Sequence, residues 1–379
     1  MSKFSQIDTK NMNKEKKLFT PGPLSTSKLT KSSMMYDYGS RDPLFLNINK
    51  QTIQGITNVI KNSKNLITIP IQGSGTFAVE AMISSFIPKE HKVLVAINGA
   101  YGERIAKICK YKKISLKIIT FKETEAISSI RINKELAKGN YSHLIVVHCE
   151  TTTGILNPLE EISNVCKRNK VKLLVDAMSS FGGIIIDYKK VKFEALAASA
   201  NKCLEGIPGI SFCITHKSVP KNLKGNSNSL SLDLYDQWYT MKLTGQWRFT
   251  PPTHVLLALK SALNQLKIEG GVKSRNKRYM QNCNFIRQEM QKIGFNCIVK
   301  DSLQAPIIVT FETPRSITSR FSEFYNRLSN EGYIIYPGKI TKMNTFRIGC
   351  IGNINLRDFK KLITAIKKVI KTMNLSIVY

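Results

Sequence analysis

Strand-like apolar runs alternate with helix-like segments from about residue 66 to residue 215, and this alternation constrains the fold more than any other feature. Strands that alternate with helices favour a mostly parallel sheet covered by helices on both faces. Ligands bind such sheets beyond the carboxyl ends of the strands. The chain has 379 residues, 42% of them hydrophobic, which is enough for one large core and a second, smaller unit. We therefore predict an α/β fold and expect functional side chains where the strands end.

A carboxylate and a lysine follow two of these runs. Residues 171–175 form an apolar run that ends in Asp176, and Lys202 follows within the next thirty residues. A lysine and a carboxylate on neighbouring strand ends are what pyridoxal phosphate chemistry requires. The lysine forms a Schiff base with the cofactor aldehyde, and the carboxylate pairs with the pyridinium nitrogen. A turn or helix-capping aspartate is the structural alternative for Asp176.

A glycine-rich turn precedes the apolar segment 77–83, which predicts a buried helix. This turn contains Ser74, Gly75 and Thr76. It offers backbone N–H groups, two hydroxyls and the positive end of a helix dipole to a phosphate. It is not a Walker loop, and it lacks the third glycine of the dinucleotide fingerprint. An ordinary helix start has the same composition, so the phosphate prediction depends on the presence of Asp176 and Lys202 in the same chain.

Two further strand ends carry aromatic or hydroxyl side chains. Tyr101 follows the run 92–97, where its ring can stack on a pyridine ring or serve only in packing. Thr151 and Thr153 follow the run 143–150, and their hydroxyls can hydrogen-bond the phenolic oxygen of the cofactor. His148, inside that run, is more typical of a buried core histidine than of an acid or base.

Several long motifs of this chain resemble the class-V aminotransferase family of pyridoxal phosphate enzymes. They are residues 19–23, 72–80, 98–102, 148–160, 175–182 and 201–206. Three further stretches resemble the members of that family that act on an aminophosphonate: residues 229–238, residues 244–254, and residues 336–339 with 346–352. The resemblance runs from about residue 18 to the C-terminus. It implies a fold-type I pyridoxal-phosphate-dependent transferase with a large domain on a mostly parallel sheet and a smaller C-terminal α+β domain.

The resemblance implies a role for each cofactor residue. Lys202 would hold the cofactor and later move a proton between the substrate and the cofactor. Asp176 would pair with the ring nitrogen, and Tyr101 would stack on the ring. Thr250 matches a threonine that completes the phosphate cup from the neighbouring subunit, which implies a homodimer with shared active sites. The cup itself matches Ser74, Gly75 and Thr76, and either Thr151 or Thr153 would approach the ring oxygen.

Arg347 matches the arginine that binds the acidic group of the substrate, where a planar fork suits a carboxylate. A second contact to the larger anion is expected from Arg41 or from the backbone around Gly22. For Arg41, a surface ion pair with Asp42 or another neighbour is an equally good interpretation.

The resemblance implies a ping-pong transamination in which the amino group of 2-aminoethylphosphonate passes to pyruvate, giving phosphonoacetaldehyde and L-alanine. One pocket would then accept a phosphonate and a carboxylate in turn. The alternative within the family is an alanine or serine:glyoxylate aminotransferase, which shares the fold and the cofactor residues. The segment 229–254 favours the phosphonate enzyme, because those relatives lack it in this form.

The motifs divide the chain into three parts. We expect a flexible basic tail over residues 1–17, a large cofactor-binding domain over residues 18–260 and a small C-terminal domain over residues 261–379. The tail is polar and has no apolar core, so we expect no secretory signal. Within the small domain, an amphipathic stretch near residues 256–293 leads into a strand near residue 307, and a terminal helix is expected near residues 356–373.

Composition limits the remaining classes of function. The net charge of +31 is typical of polyanion-binding proteins, but the basic residues are spread along the chain, so we expect no specific nucleic-acid partner. The eight cysteines show no Cys-x-x-Cys pair and indicate buried free thiols in the cytoplasm. The five histidines are unclustered, so we expect no metal site. No apolar run approaches the length of about 20 residues that spans a membrane.

Overall fold

The computed structural model describes residues 15–338, 340 and 343–379. Most of the predicted basic tail, residues 1–14, lies outside the described residues, as does Lys339 of the segment 336–339. The strands of the described part are β1 (Lys17–Leu18), β2 (Leu66–Gln72), β3 (Lys92–Ile97), β4 (Ser115–Thr120), β5 (His143–Val147), β6 (Cys149–Glu150), β7 (Ile155–Leu156), β8 (Lys172–Asp176), β9 (Ala195–Ser199), β10 (Ile210–His216), β11 (Ile308–Glu312), β12 (Tyr333–Ile334), β13 (Tyr336–Pro337) and β14 (Thr345–Gly349).

The helices, in the same order, are α1 (Lys28–Ser32), α2 (Pro43–Thr57), α3 (Gly75–Phe86), α4 (Ala100–Tyr111), α5 (Ser129–Leu136), α6 (Leu159–Arg168), α7 (Leu234–Thr244), α8 (Thr253–Ile268), α9 (Gly271–Ile293), α10 (Arg315–Thr318), α11 (Phe321–Asn330) and α12 (Leu356–Thr372). Two short 3₁₀ turns lie at Pro220–Leu223 and Asp301–Leu303. In the part of the chain that the structure describes, no helix is long and apolar enough to cross a membrane.

A seven-stranded sheet forms the centre, with the strand order β2-β10-β9-β8-β5-β3-β4. The five strands from β9 to β4 are parallel, and β10 runs antiparallel between β2 and β9. Because β2 and β9 both oppose β10, β2 points in the same direction as the parallel strands. Six strands therefore present their carboxyl ends at one edge. The predicted α/β fold with a mostly parallel sheet is confirmed.

Both faces of this sheet are buried. Leu144 and Val146 of β5 belong to the hydrophobic cluster on one face, and Ile145 of the same strand belongs to the cluster on the other. Successive side chains of a strand point to opposite faces, so both sets of positions must be apolar. This explains why β3, β5 and β8 read as unbroken apolar runs in the sequence.

The amphipathic stretch predicted near residues 256–293 is two helices. Gly270 and Gly271 have φ angles of 101° and 77°, a backbone conformation that residues with a Cβ atom rarely adopt. The chain therefore leaves α8 and starts α9 in a new direction.

A second sheet, with the order β11-β14-β13 and antiparallel pairing, lies in the C-terminal part. It packs with α9, α11 and α12 around a separate hydrophobic cluster that includes Phe311, Phe346 and Phe359. The terminal helix α12 ends within a residue of its prediction, and Asn355 and Asp358 form a capping box at its start.

The N-terminal segment joins this C-terminal part. Strand β1 pairs with β12, and Phe19 is fully buried in the C-terminal hydrophobic cluster. The predicted domain boundary at residue 260 falls inside α8. The division into two domains at that residue stays a prediction.

Candidate active site

Asp176 and Lys202 lie at the carboxyl edge of the central sheet. Asp176 is the last residue of β8, and Lys202 follows the end of β9, the adjacent strand. One Asp176 oxygen accepts the Met178 N–H at 2.9 Å, which is the contact of a turn aspartate, and the second oxygen makes no further hydrogen bond in the described structure. Lys202 Nζ donates to the Pro21 carbonyl oxygen at 3.0 Å. The two strand ends therefore bring the predicted pair to one place.

Burial shifts the protonation of both groups. It raises the pKa of Asp176 to about 6, against the opposing charges of Arg104 and Lys202. It also lowers the pKa of Lys202 to about 8, although the nearby Cys203 thiol and the Asp176 carboxylate act in the opposite direction. A lysine whose pKa is lowered is neutral more often near pH 7, and the neutral amine is the form that attacks carbonyl carbon or accepts a proton.

The predicted phosphate cup forms the start of α3, directly after β2. Ser74 is the residue before the helix, and its hydroxyl makes no capping hydrogen bond. Thr76 Oγ1 accepts from Arg104 Nη1 at 3.2 Å. A Cβ on Gly75 would lie 2.3 Å from the Met178 sulfur, so a larger residue there would require the Met178 side chain to move. The cup thus keeps free hydroxyl and N–H groups beside a guanidinium.

Tyr101 lies in the first turn of α4, where its half-buried ring is covered on one side by the guanidinium of Arg104 at 4.9 Å. Its N–H donates to Glu150 Oε2 at 3.2 Å. Glu150 is fully buried and also accepts the N–H and hydroxyl of Thr152. Burial raises the pKa of Glu150. Glu150 therefore fixes the position of Tyr101 through its backbone.

Sequence reasoning missed Glu150 and Arg104. Glu150 closes a strand-like run, as Asp176 does, and this could have indicated it as a buried carboxylate at the same edge. Arg104 stands three residues after Tyr101 and so lies on the same side of α4. Its contact with Thr76 links two segments 28 residues apart, and no pattern in the sequence shows it.

The two threonine candidates, Thr151 and Thr153, lie in the turn between β6 and β7 and differ in their hydrogen bonds. The Thr151 carbonyl oxygen accepts from Arg347 Nη1 at 2.8 Å. The Thr153 hydroxyl is buried and has no hydrogen-bond partner among the described residues. An unpaired buried hydroxyl is costly, so this atom is the better candidate for a contact with a bound group. His148, just before this turn, is buried, hydrogen-bonded to Ser180 at 2.9 Å, and burial lowers its pKa to about 4.

Arg347 lies in β14 and is 1% exposed. Its Nε and Nη2 donate to the Pro337 carbonyl oxygen at 3.0 and 2.8 Å, and Nη1 donates to Thr151. The ring of Tyr336 lies 4.8 Å from its guanidinium carbon. A guanidinium has five N–H donors. Among the described residues, one N–H on each terminal nitrogen therefore remains for an anion, and no carboxylate forms an ion pair with Arg347. Burial lowers the pKa of Arg347.

Of the other three predicted site residues, Gly22 lies beside Lys202, whereas Arg41 and Thr250 lie on the surface. Gly22 borders Lys202 closely, since a Cβ there would lie 2.6 Å from Lys202 Nζ. Arg41 and Thr250 are exposed, and in the described chain neither makes a hydrogen bond or an ion pair. The ion pair between Arg41 and Asp42 is therefore not formed, and Asp42 instead caps α2 through the Leu44 N–H.

These observations together test whether the site fits pyridoxal phosphate. The unpaired Thr153 hydroxyl, the free oxygen of Asp176 and the uncommitted Ser74 hydroxyl all lie at one sheet edge with Lys202. They match the hydroxyl, ring nitrogen, phosphate and aldehyde of that cofactor in chemical type. The residues at this site therefore fit pyridoxal phosphate. Among the described residues, no cluster of three or more His, Cys, Asp or Glu side chains is arranged to hold a metal ion.

Comparison with known proteins shows similarity to pyridoxal phosphate aminotransferases, in agreement with the geometry of the site. The family profile of aminotransferase class-V matches residues 32–347. The chain is 45% identical over 357 residues to a 2-aminoethylphosphonate–pyruvate transaminase of Pseudomonas aeruginosa, covering 94% of this chain and 96% of that one.

Two solved structures share the fold. A ureidoglycine–glyoxylate aminotransferase of Bacillus subtilis has a TM-score of 0.88 at 22% identity and covers 96% of this chain and 95% of its own. An alanine–glyoxylate aminotransferase of Nostoc sp. has a TM-score of 0.87 at 24% identity, with 94% and 96% covered. The extent of the profile match and the identity to the Pseudomonas enzyme show that the chain belongs to the class-V aminotransferase family.

Proposed function

We propose that this chain transfers the amino group of 2-aminoethylphosphonate to pyruvate, giving phosphonoacetaldehyde and L-alanine. The observation that carries the proposal is the partly free fork of Arg347, buried at the same site as Lys202. A phosphonate and a carboxylate both present two oxygens to such a fork, so one arginine suits both substrates. The identity to the Pseudomonas enzyme over almost the whole chain supports this substrate pair.

Pyridoxal phosphate, when bound, supplies an aldehyde that takes up the amino group and a ring that accepts the electrons released from the substrate carbon. The protein supplies the rest. Lys202 Nζ is proposed to take the proton from the substrate carbon that bears nitrogen and to deliver it to the cofactor, since its lowered pKa keeps a useful fraction of the amine neutral. Asp176 is proposed to hold the ring nitrogen charged, and Tyr101 to support one face of the ring. Ser74, Gly75 and Thr76 are proposed to hold the phosphate.

Substrate orientation follows from Arg347. Its guanidinium is fixed by Pro337 and Thr151 carbonyl oxygens, so its free N–H pair has one direction. A phosphonate held there would place its amine at a defined distance from Lys202. Gly22, which leaves room beside Lys202 Nζ, is proposed to line the same space. Arg41 is proposed as a second cationic contact that needs a movement of its exposed loop.

A spectroscopic experiment tests the substrate pair. We expect 2-aminoethylphosphonate, added without a keto acid, to convert the absorbance of the bound aldehyde cofactor to that of its amine form, and pyruvate to reverse the change. Arg347→Lys keeps the charge but loses the fork, so we expect it to bind the cofactor and convert about a hundredfold more slowly. A spectrum that ignores the phosphonate but responds to alanine or serine would move the function to a glyoxylate-type aminotransferase.

We also propose a homodimer in which Thr250 completes the phosphate cup of the partner subunit. Thr250 is exposed and makes no hydrogen bond within the described part of its own chain. Its neighbour Phe249 is 50% exposed and, with Phe77 at the start of α3, borders a cavity of about 330 Å³. Exposed aromatic side chains beside a site are typical of a surface that another subunit covers.

Subunit mixing tests this arrangement. A dimer of one Lys202→Ala subunit and one Thr250→Ala subunit has one intact site if Thr250 acts across the interface. Random exchange at equal amounts should therefore restore about a quarter of the wild-type activity, above the sum of the two variants alone. If Thr250 serves its own subunit, mixing gives no gain even when exchange is proven by differently tagged subunits.

A cytoplasmic location is proposed as well. All eight cysteines are free thiols, seven of them buried, as is usual for a protein of a reducing compartment.

A further inference from the structure

A cluster of charged side chains lies behind the turn that carries Lys202. The Glu205 cluster comprises Glu205, Glu269, Arg275, Arg278 and Tyr279. Glu205 is 9% exposed and Arg275 is 1% exposed. Desolvation makes buried ion pairs a weak source of stability, so their presence here calls for another explanation.

The backbone at Glu205 is unusual. Its φ angle is 61°, a left-handed conformation that residues with a side chain rarely adopt. The Glu205 N–H donates to the Lys202 carbonyl oxygen at 2.8 Å and closes the turn. Glycine would fit this backbone more easily, so a glutamate at this position indicates a use for its carboxylate.

The cluster holds the Lys202 turn against α9. Arg275 Nη1 donates to the Cys203 carbonyl oxygen at 2.9 Å, one residue after Lys202. Glu269 accepts from both Arg275 and Arg278, at 2.7 and 2.8 Å. Tyr279 donates its hydroxyl to Glu205 at 2.6 Å, and burial together with the charge of Glu205 raises its pKa, so that it stays a neutral donor.

The same cluster reaches the segment after the strand that carries Arg347. Arg278 binds Glu205 at 2.7 Å through Nη2 and donates through Nη1 to the Gly352 carbonyl oxygen, also at 2.7 Å. The Gly352 N–H points to the Tyr279 hydroxyl at 3.4 Å. Gly352 stands three residues beyond the end of β14. Two members of the cluster therefore join the Lys202 turn to the Arg347 strand.

The N-terminal segment completes a closed path. The Asn353 N–H donates to the Ser25 carbonyl oxygen and the Gly349 N–H to the Phe19 carbonyl oxygen, each at 2.8 Å. Pro21, between these two positions, accepts from Lys202 Nζ. Lys202 is thus held at its side chain by this segment and at its backbone by the Glu205 cluster, and both supports are anchored next to β14.

We propose that Glu205 is a positioning residue that fixes the Lys202 turn relative to Arg347. Through Arg278, Tyr279 and Gly352, it keeps the amine that moves the proton aligned with a substrate held at the guanidinium. This inference rests on the proposed amino transfer and adds a residue outside the substrate pocket that governs its geometry. Proton transfer is sensitive to displacements of about 1 Å, so a loosened turn slows the reaction without removing a contact to the substrate.

Two substitutions test the proposal. Glu205→Gly suits the φ angle but loses every side-chain contact, and we expect kcat to fall about tenfold or more. KM for pyruvate should change less than about twofold, because Arg347 keeps its own partners Pro337 and Thr151. Glu205→Gln keeps the shape and an acceptor for Tyr279, so it should recover most of kcat, to within about threefold of wild type.

A control on the same helix separates positioning from stability. Arg287 of α9 is also buried and charge-paired, with Asp301, but it does not touch the Lys202 turn. Arg287→Lys should lower the melting temperature while kcat and KM stay at wild-type values. An equal loss of kcat in Arg287→Lys, at a similar loss of melting temperature, would overturn the proposal. If Glu205→Gly does not fold, Glu205→Ala, which also removes the carboxylate, decides: a kcat lowered about tenfold at unchanged KM supports positioning, and a kcat within about threefold of wild type overturns it.

One readout needs no substrate. The pH midpoint at which the absorbance of the bound cofactor changes depends on the surroundings of Lys202. We expect Glu205→Gly to move this midpoint by about half a pH unit and Arg287→Lys to leave it unchanged. Because neither amine nor keto acid is added, failure of 2-aminoethylphosphonate as a substrate would leave this result valid. An unmoved midpoint in Glu205→Gly would count against the positioning role itself.

Discussion

Replacing Lys202 by alanine is expected to abolish amino transfer while leaving a folded protein. The Lys202 side chain is half-buried at the sheet edge near Asp176, and its pKa is lowered to about 8, so it is the group best suited to carry the proton. Loss of a positioned general base costs about 10² to 10⁴ in rate. Loss of the covalent link to the cofactor adds to this cost. The measurement is single-turnover conversion of the bound cofactor by 2-aminoethylphosphonate, followed by its absorbance.

The matched control for this substitution is Lys190→Ala. Lys190 is mostly exposed and pairs at 3.6 Å with Glu160 on the surface, so its loss should leave the rate unchanged. The melting temperature of Lys202→Ala should stay near that of wild type, since the substitution removes an amine whose charged form is disfavoured by burial. A Lys202→Ala protein that converts the cofactor within about tenfold of the wild-type rate would show that another group moves the proton.

The sequence could predict the central part of the site because that part depends on strand ends. Asp176 ends a strand whose two faces are both apolar, and the ends of parallel strands meet at one edge. Lys202 follows the neighbouring strand, so its closeness to Asp176 needed no knowledge of loops. These are regular, short-range features of a chain that alternates strands and helices.

The parts that sequence reasoning missed depend on contacts between distant segments. Glu150 binds the N–H of Tyr101, 49 residues away, and Glu205 meets Arg278, 73 residues away. Glu150 ends a strand-like run, but that run does not show its contact with Tyr101, and Glu205 lies in no helix or strand pattern. The choice between Thr151 and Thr153 also needed three dimensions, because it depends on which hydroxyl is buried without a partner. The stretch 256–293 was predicted only as amphipathic, and its division into α8 and α9 depends on the positive φ angles of Gly270 and Gly271, which the amphipathic pattern does not show.

Replacing Asp176 by asparagine is expected to slow amino transfer by about a hundredfold or more. The asparagine side chain keeps the size of the original and can still accept the Met178 N–H. It removes the negative charge that would keep the cofactor ring nitrogen protonated, and removal of one such electrostatic contact typically costs about 10² to 10³ in rate. The same single-turnover conversion measures this loss. Asp187→Asn, which changes an aspartate near the surface away from the site, is the control and should keep the wild-type rate.

Although Asp176→Asn should slow the reaction, it should increase the stability of the cofactor-free protein. Burial raises the folded-state pKa of Asp176 from 3.8 to about 6, so between these values the folded chain binds more protons than the unfolded chain. Its free energy of unfolding therefore falls as the pH rises through this window, and the full cost, up to about 3 kcal/mol, applies above pH 6. Asp176→Asn removes this cost.

The cofactor-free variant should accordingly unfold at a higher denaturant concentration than wild type at pH 7.5, with the difference vanishing near pH 4. Saturating pyridoxal phosphate should stabilise wild type more than the variant, because the buried carboxylate gains a cationic partner in wild type alone. A variant less stable than wild type at both pH values would show that the Asp176 carboxylate is already stabilised by groups of the protein and needs no bound ligand as a partner. Slower transfer combined with higher cofactor-free stability is the pattern that a buried carboxylate kept for the cofactor ring predicts.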